Sequence, residues 1–504
     1  MSSASRTRVL AVGIDAAEPT LVRELIDRGR LPALGGLLER GRWALVDSRG
    51  DIGSGAVWPT FFTGSDPSVH QMYSGWSWKP DLMAGGFPDE SRLTPFWSRP
   101  AERGVSVGVL DVPWVSVSDR SSPGDGFEIA EYGPHDIHYG EMRVSGGSIA
   151  RSVVSAAPRH PFYEIPYGPG YADDVDGKRR LSAAAVEGAR HRGDLAVRLL
   201  REVAPELAIM TFNEVHHCTH QLWHTVGDDP LYEGIEAPMV SPDLEQVYRE
   251  VDRQVGRLVD AAPDAAVIAF SLHGMKPGPG IPMLHEALLE ELGYAIPSSW
   301  SGLTWRERAA GALGTFKRKA PQPLKRLYHR RLGYATRLRL ARGTIVPQHD
   351  WSRTRAFALP TDQRGYIRVN LAGREAQGCV PAPEYDAVCD QLVEELSATR
   401  DSAGRPLVAE VARMVEDGGE PHPHLPDLIV DWAPAAFARP VRLRVGSSEL
   451  SSSPIRTDMT GQHSRHGFCI LDEALAGVGT HDVLAGSELH RFLLAPLGAG
   501  ASPA

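Results

Sequence analysis

The stretch RVLAVGID, Arg8–Asp15, reads as a buried strand that ends on a carboxylate. Its apolar run is interrupted only by Gly13 and lacks the in–out alternation of a half-exposed strand, so both faces should be covered. The following EPTLVRELIDRGRLPALGGLLERG reads as a helix, a break and a second short helix stopped by Gly41. GVSVGVLDVPW, ELAIMTFNE, DAAVIAFSLHG and PDLIVDW look like further core strands between helical segments. This alternation predicts an α/β fold with a mostly parallel central sheet flanked by helices. In SPDLEQVYREVDRQVGRLVDAA, Leu244, Val247, Tyr248, Val251, Val255, Leu258 and Val259 recur at helical spacing, which marks a core-facing stripe. Asp15, Asp111, the Glu214–His220 group and His273 all come just past strand ends. In an open α/β sheet that edge is where ligands bind, so residues far apart in sequence should share one rim.

The chain has 504 residues, 42% of them hydrophobic and 23% charged, with a formal net charge of −10. It is long enough to bury a large core. The acidic balance argues against general binding to nucleic acid or anionic membranes. The first apolar stretch is too short for a signal peptide, and no run approaches the ~18 apolar residues of a membrane span. Four cysteines without CxxC spacing suit a reducing, cytoplasmic setting. Residues 296–344 carry many Lys and Arg, with helical spacing broken by Pro321 and Pro323. They read as a basic helical insertion into a core formed by 1–295 and 345–504: either a solvated helix pair or a cap that recruits an anionic substrate or partner. The tail LGAGASPA should be disordered. No motif speaks to oligomeric state, and no P-loop or dinucleotide fingerprint is present.

NEVHHCTHQLWH, residues 213–224, raises the question of metal binding. His216, His220 and His224 fall at i, i+4 and i+8, one helical face, while His217 points sideways. Several imidazoles on one face just after an apolar strand favour ligation over a chance cluster. A second stretch, DIGSGAVWPTFFTGSDPSVHQMYSG (Asp51–Gly75), sets small residues around Ser54 before a short helix expected from about Ala56, with Pro59 in its first turn. Ser54 is either an N-cap or a hydroxyl placed in the positive potential of a helix start, where an oxyanion also binds.

VGID, LPALGGLLERG and S-G-A-V-W-P-T-F-F-T-G-x-x-P-x-x-H, followed in order by THQLWH, AFSLHG, DWSRTRAFALPTDQRGYIRVNLAGRE and TGQHSRHGFCIL, resemble the type I phosphodiesterase/nucleotide pyrophosphatase family of the alkaline phosphatase superfamily. The resemblance implies a metal-dependent hydrolase of phosphate esters. Two divalent cations, usually zinc, would lie at the sheet's C-terminal rim, and a serine or threonine would attack phosphorus. Carried over, it makes Asp15 the carboxylate after the first strand, Ser54 the nucleophile and His220 the histidine of the family's D-x-x-x-H. His273 becomes the histidine of its Asp-His pair and His463 the late histidine.

Two departures follow. His216 stands where the family has the first aspartate, and Leu272 where it has the second. Two cations would then lack compensating charge in a desolvated site. Three responses are open: one cation instead of two, a substitute carboxylate such as Glu214, or binding that depends on an anionic substrate. The expectation is a tight zinc site at His216, His220 and His463, with a weak or absent second site at Asp15 and His273. His217, Trp58, His135, Asp136 and Arg374 are candidate substrate contacts, each equally readable as structural. The substrate is expected to be a small phosphorylated molecule. Sulfate or phosphonate ester cleavage or group transfer on the same site, and a non-catalytic binding protein that has lost its metals, stand as alternatives. SGAVW lacks the proline and arginine of the sulfatase motif.

Overall fold

The computed structural model describes residues 8–86, 88, 92–117, 125–135, 142–165, 174–227, 229–232, 243–280, 282, 284–298, 349–359, 364–437, 441–445, 448–452, 459–475 and 481–498. Asp136, the basic segment from 299 onward and the tail from 499 lie outside these residues. The chain forms two compact units, one from 1–70, 89–277 and 458–504, the other from 71–88 and 278–457. Residues 71–88, 278–295 and 345–457, expected as part of one core, thus fall in the second unit.

The first unit is built on a nine-stranded sheet. In chain order its strands are β1 (Val9–Ile14), β2 (Gly41–Asp47), β3 (Val107–Leu110), β4 (Phe127–Ala130), β5 (Arg143–Gly146), β6 (Leu207–Phe212), β7 (Ala266–Ser271), β8 (His466–Asp472) and β9 (Val483–Ala485). Across the sheet they run β9-β2-β8-β7-β1-β6-β3-β4-β5, and the five strands from β7 to β4 are all parallel. β1 is wholly buried, as its unbroken apolar run requires. Val12 pairs with Met210 on one side and Ala269 on the other. That register brings the carboxyl ends of β1, β6 and β7 level, so Asp15, Asn213 and Leu272 leave the sheet side by side. Ala16, Asp111 and Glu131, just past β1, β3 and β4, hold positive φ of 58°, 55° and 62°. Each such non-glycine residue costs about 1–3 kcal/mol, a strain typical of functional rims.

The helices of this unit include α1 (Pro19–Asp27), α2 (Pro32–Glu39), α3 (Ser54–Thr63), α4 (Val175–Glu202), α5 (Glu214–Leu222) and α6 (Asp243–Ala261). The expected α6 stripe is buried from Leu244 to Leu258, with Val259 half-buried. α3 starts two residues before the expected Ala56, which puts Pro59 in its second turn. The lost backbone donor is tolerated because every residue from Gly55 to Thr63 is buried, and packing outweighs the local break.

α2 lacks a cap of its own, with Leu31 at the N-cap position. Asp252 of α6 supplies one, accepting from the Ala33 and Leu34 amides at 3.0 and 2.8 Å. Burial pushes the Asp252 carboxyl up to about 6, against the lowering effect of these two bonds. A carboxyl raised in the folded state adds stability that is complete below the unfolded pKa and is lost as pH rises through the folded one. Asp252→Asn should therefore flatten the stability profile between pH 4 and 7 by on the order of 2–3 kcal/mol. Urea titrations of both proteins across that range measure it, and identical slopes would refute the assignment.

In the second unit, the strand within PDLIVDW (Leu428–Trp432) joins an antiparallel sheet with Ala356–Leu359, Gly365–Val369 and Val408–Arg413. It is not a strand of the parallel sheet, as the sequence had suggested. Short apolar runs of this kind read alike in either setting.

Candidate metal centre

α5 begins two residues after β6, and all nine of its residues are buried. His216 and His220 occupy one face of it, four residues apart. His463 ends the short strand Gly461–His463, which pairs antiparallel with Met275–Pro277 just beyond β7. A Cβ at Gly461 would collide with the Thr219 carbonyl, so only glycine lets this strand approach α5 so closely. The three Nε2 atoms then converge: His216 to His220 at 2.9 Å, His216 to His463 at 3.0 Å and His220 to His463 at 3.0 Å.

Protons alone do not explain this triangle. His220 Nδ1 donates to the Gly461 carbonyl at 2.9 Å, which leaves its Nε2 with a lone pair. Each ring nitrogen has one in-plane orbital, so three converging nitrogens cannot all be satisfied by one another. A cation about 2.0–2.1 Å from each nitrogen satisfies all three, and three imidazoles with an open fourth position suit zinc. Burial holds all three imidazoles below the ordinary histidine range, most strongly His220 and His463, so they are neutral donors at neutral pH. The residues present fit the cation.

Asp15, just past β1, lies at the middle of the remaining imidazoles. Its Oδ1 accepts from Trp58 Nε1 at 2.8 Å and faces His273 Nε2 at 3.4 Å. Its Oδ2 lies 2.8 Å from His216 Nδ1 and 3.2 Å from His135 Nε2. Burial alone would raise the carboxyl. Attraction to His216, with hydrogen bonding from His135, His216 and His273, instead holds it well below the usual aspartate range. Asp15 is thus a permanent anion, and Trp58 and His135, weighed as substrate contacts, border it.

Ser54 is the first residue of α3 and half-buried, with Gly53 at the N-cap. Gly53 has φ 152°, a conformation essentially reserved for glycine, so the turn into the helix depends on it. Ser54 lies one turn before Trp58 on the same helical face, and Trp58 holds Asp15. A side chain at Gly50, in the loop leading into α3, would collide with His273. The loop into α3 therefore passes close to His273, and Trp58 ties the helix to Asp15.

Other candidates are engaged elsewhere. Glu214 accepts from Arg192 Nε and His160 Nε2, both at 2.9 Å, and Arg192 also pairs with Asp111. Burial would raise Glu214, but the Arg192 charge and the His160 hydrogen bond bring it to about 2. The carboxylate serves this buried ion network and does not replace a missing ligand. Asp111 accepts the Tyr132 and Gly133 amides at 2.8 Å each, so Arg192 ties the loop carrying His135 to the start of α5. Arg192 carries no local signature, being one arginine among several on α4. His217 donates from Nε2 to the His135 carbonyl at 3.0 Å and stacks on Phe162, which makes it a support for His135. His224 has left the helical face for a 3-10 turn, with Nδ1 3.1 Å from Thr460 Oγ1. Arg374 belongs to the second unit, where both guanidinium ends bind Asp427 at 2.7 Å and Nε binds Glu375 at 2.9 Å. Its role there is to hold the antiparallel sheet.

The family description "Type I phosphodiesterase / nucleotide pyrophosphatase" matches residues 9–434. The chain belongs to that family. The type I phosphodiesterase family comprises phosphoric ester hydrolases of the alkaline phosphatase superfamily. No curated protein matches the sequence. Among solved structures, the chain is similar to phosphonoacetate hydrolase from Sinorhizobium meliloti 1021 in complex with phosphonoacetate, at 16% identity and TM-score 0.51, covering 99% of this chain and 97% of that one. Murine ectonucleotide pyrophosphatase/phosphodiesterase 5 in complex with AMP has 12% identity and TM-score 0.46, covering 99% and 96%. Among the described residues no helix is long and apolar enough to cross a membrane.

Proposed function

We propose that this type I phosphodiesterase family member hydrolyses a small phosphoric diester or similarly substituted phosphoryl compound, with Ser54 as nucleophile and a tight divalent-cation site at His216, His220 and His463. The observation that carries this reading is the convergence of three neutral Nε2 atoms within 3.0 Å of one another beside Asp15, which Trp58 of the Ser54 helix holds. A cation held there, most readily zinc, would polarise a phosphoryl oxygen. The chain's own groups do the rest. The free amides of the first turn of α3 would stabilise charge that grows on the non-bridging oxygens. The Ser54 oxygen gives up its proton to solvent and bonds to phosphorus as the ester oxygen opposite it departs and takes up a proton. Water then cleaves the new serine–phosphorus bond and restores the hydroxyl. Asp15 stays ionised and fixes the surrounding imidazoles and the Trp58 face of α3. The basic segment 296–344 is a separate proposal, as a cap that draws anionic substrates to the core.

The test is hydrolysis of aryl phosphodiesters, an aryl phosphomonoester, an aryl sulfate and phosphonoacetate, before and after chelation. The expected result is diester turnover that falls by at least about a hundredfold on chelation and returns with zinc. Tight metal binding without turnover of any ester would favour a binding protein instead.

A further inference from the structure

We propose that His224 is a positioning residue for the cation site: through Thr460 it fixes where His463 stands relative to the α5 imidazoles. This rests on the reading above, which itself needs only that His216, His220 and His463 share a cation. His224 is the last of the four histidines in residues 213–224 and follows His220 in the 3-10 turn that continues α5.

α5 runs into Trp223 with no glycine to stop it, so its last carbonyls need other partners. Leu222 takes the Thr225 hydroxyl at 2.7 Å, and Gln221 takes the buried Lys178 ammonium of α4 at 2.8 Å. His220 takes the Thr460 amide at 2.6 Å. Of these three bonds, the last joins the helix to the segment that carries His463.

The Thr460 side chain secures that join. Its hydroxyl oxygen accepts the His224 backbone N–H at 3.4 Å and lies 3.1 Å from His224 Nδ1. An oxygen that accepts from the amide has its own proton left for the ring nitrogen. Burial and the nearby Lys178 charge bring His224 to about 4, so the ring is neutral and Nδ1 can accept. The Thr460 carbonyl takes the Tyr232 hydroxyl at 2.9 Å. Thr460 is thus held at amide, side chain and carbonyl, and it is buried, where a lost bond is costly.

Pairing with Met275–Pro277 sets the strand Gly461–His463 against the sheet side, and Thr460 sets it against α5. The Gly461 carbonyl, next in the chain, takes His220 Nδ1. A shift at Thr460 therefore turns the His220 ring as well as withdrawing His463.

Zinc affinity of the full-length protein, measured by competition with a chromogenic chelator, tests this latch. His224→Ala should weaken binding by about ten- to thirtyfold. Thr460→Val, which removes the hydroxyl at nearly constant volume, should do the same. The double variant should stay within about twofold of the weaker single one, because both changes break one contact. His224→Asn, whose amide oxygen can take the place of Nδ1, should remain within about threefold of wild type. Cobalt(II) in His224→Ala should lose most of the visible absorption of the wild-type complex, as His463 withdraws and the tetrahedral geometry is lost. Wild-type affinity in both single variants, or losses that add in the double, would overturn the latch and leave the hydrolase reading standing. A wild-type protein that binds no zinc would overturn both.

Discussion

His220→Ala should empty the metal centre and lower diester turnover by at least about a thousandfold, some 4 kcal/mol of transition-state stabilisation. His220 is fixed at both ends, Nδ1 by the Gly461 carbonyl and Nε2 by the other two imidazoles. Its removal leaves two imidazoles where a divalent cation needs at least three protein donors, and affinity should fall by more than about a hundredfold. The side chain carries no charge in the folded state, since burial holds it well below the histidine range. Its loss therefore leaves no uncompensated ion in the core, and the variant should fold. Metal analysis after gel filtration, with circular dichroism as a folding control, checks all three statements. Full metal content in this variant would place the cation elsewhere.

Ser54→Ala should separate binding from chemistry. The hydroxyl lies at the start of α3, outside the imidazole triangle, so metal content should stay at the wild-type level. Turnover should fall by about a thousandfold if the serine oxygen forms the bond to phosphorus. The hydroxyl is half-buried and makes no capping bond, so stability should change by less than about 1 kcal/mol. Single-turnover kinetics on an aryl diester measure the loss directly. Near-normal turnover would exclude a covalent phosphoseryl route and reduce Ser54 to orienting the phosphoryl group.

Much of the first unit was legible because buried parallel strands announce themselves. VLAVGI, LAIMTF and AVIAFS are almost wholly apolar runs leading to polar residues, and their register alone brings Asp15, α5 and His273 to one rim. The second unit was hidden for a related reason: PDLIVDW has the same composition as the parallel strands, and only its partners distinguish it. In the centre, the His216–His220 spacing was readable from helical geometry, whereas His135 read only as a candidate substrate contact and not as a neighbour of Asp15. It sits in a loop beyond β4, and no local pattern ties it to Asp15 more than a hundred residues earlier. Glu214 misled in the opposite direction. Its position beside the histidines suggested a ligand, yet Arg192, on another helix, takes its carboxylate. Arg374 was drawn away in the same manner by Asp427. Buried charges are held by partners that are distant in sequence, and that is the part of a site a linear reading resolves least.

Anomalous diffraction from crystals grown with zinc, collected on both sides of the zinc edge, tests the shared-cation centre most directly. A strong peak about 2.0–2.1 Å from Nε2 of His216, His220 and His463 together is the expected result. Zinc bound only at other positions, with the three rings left empty, would contradict it.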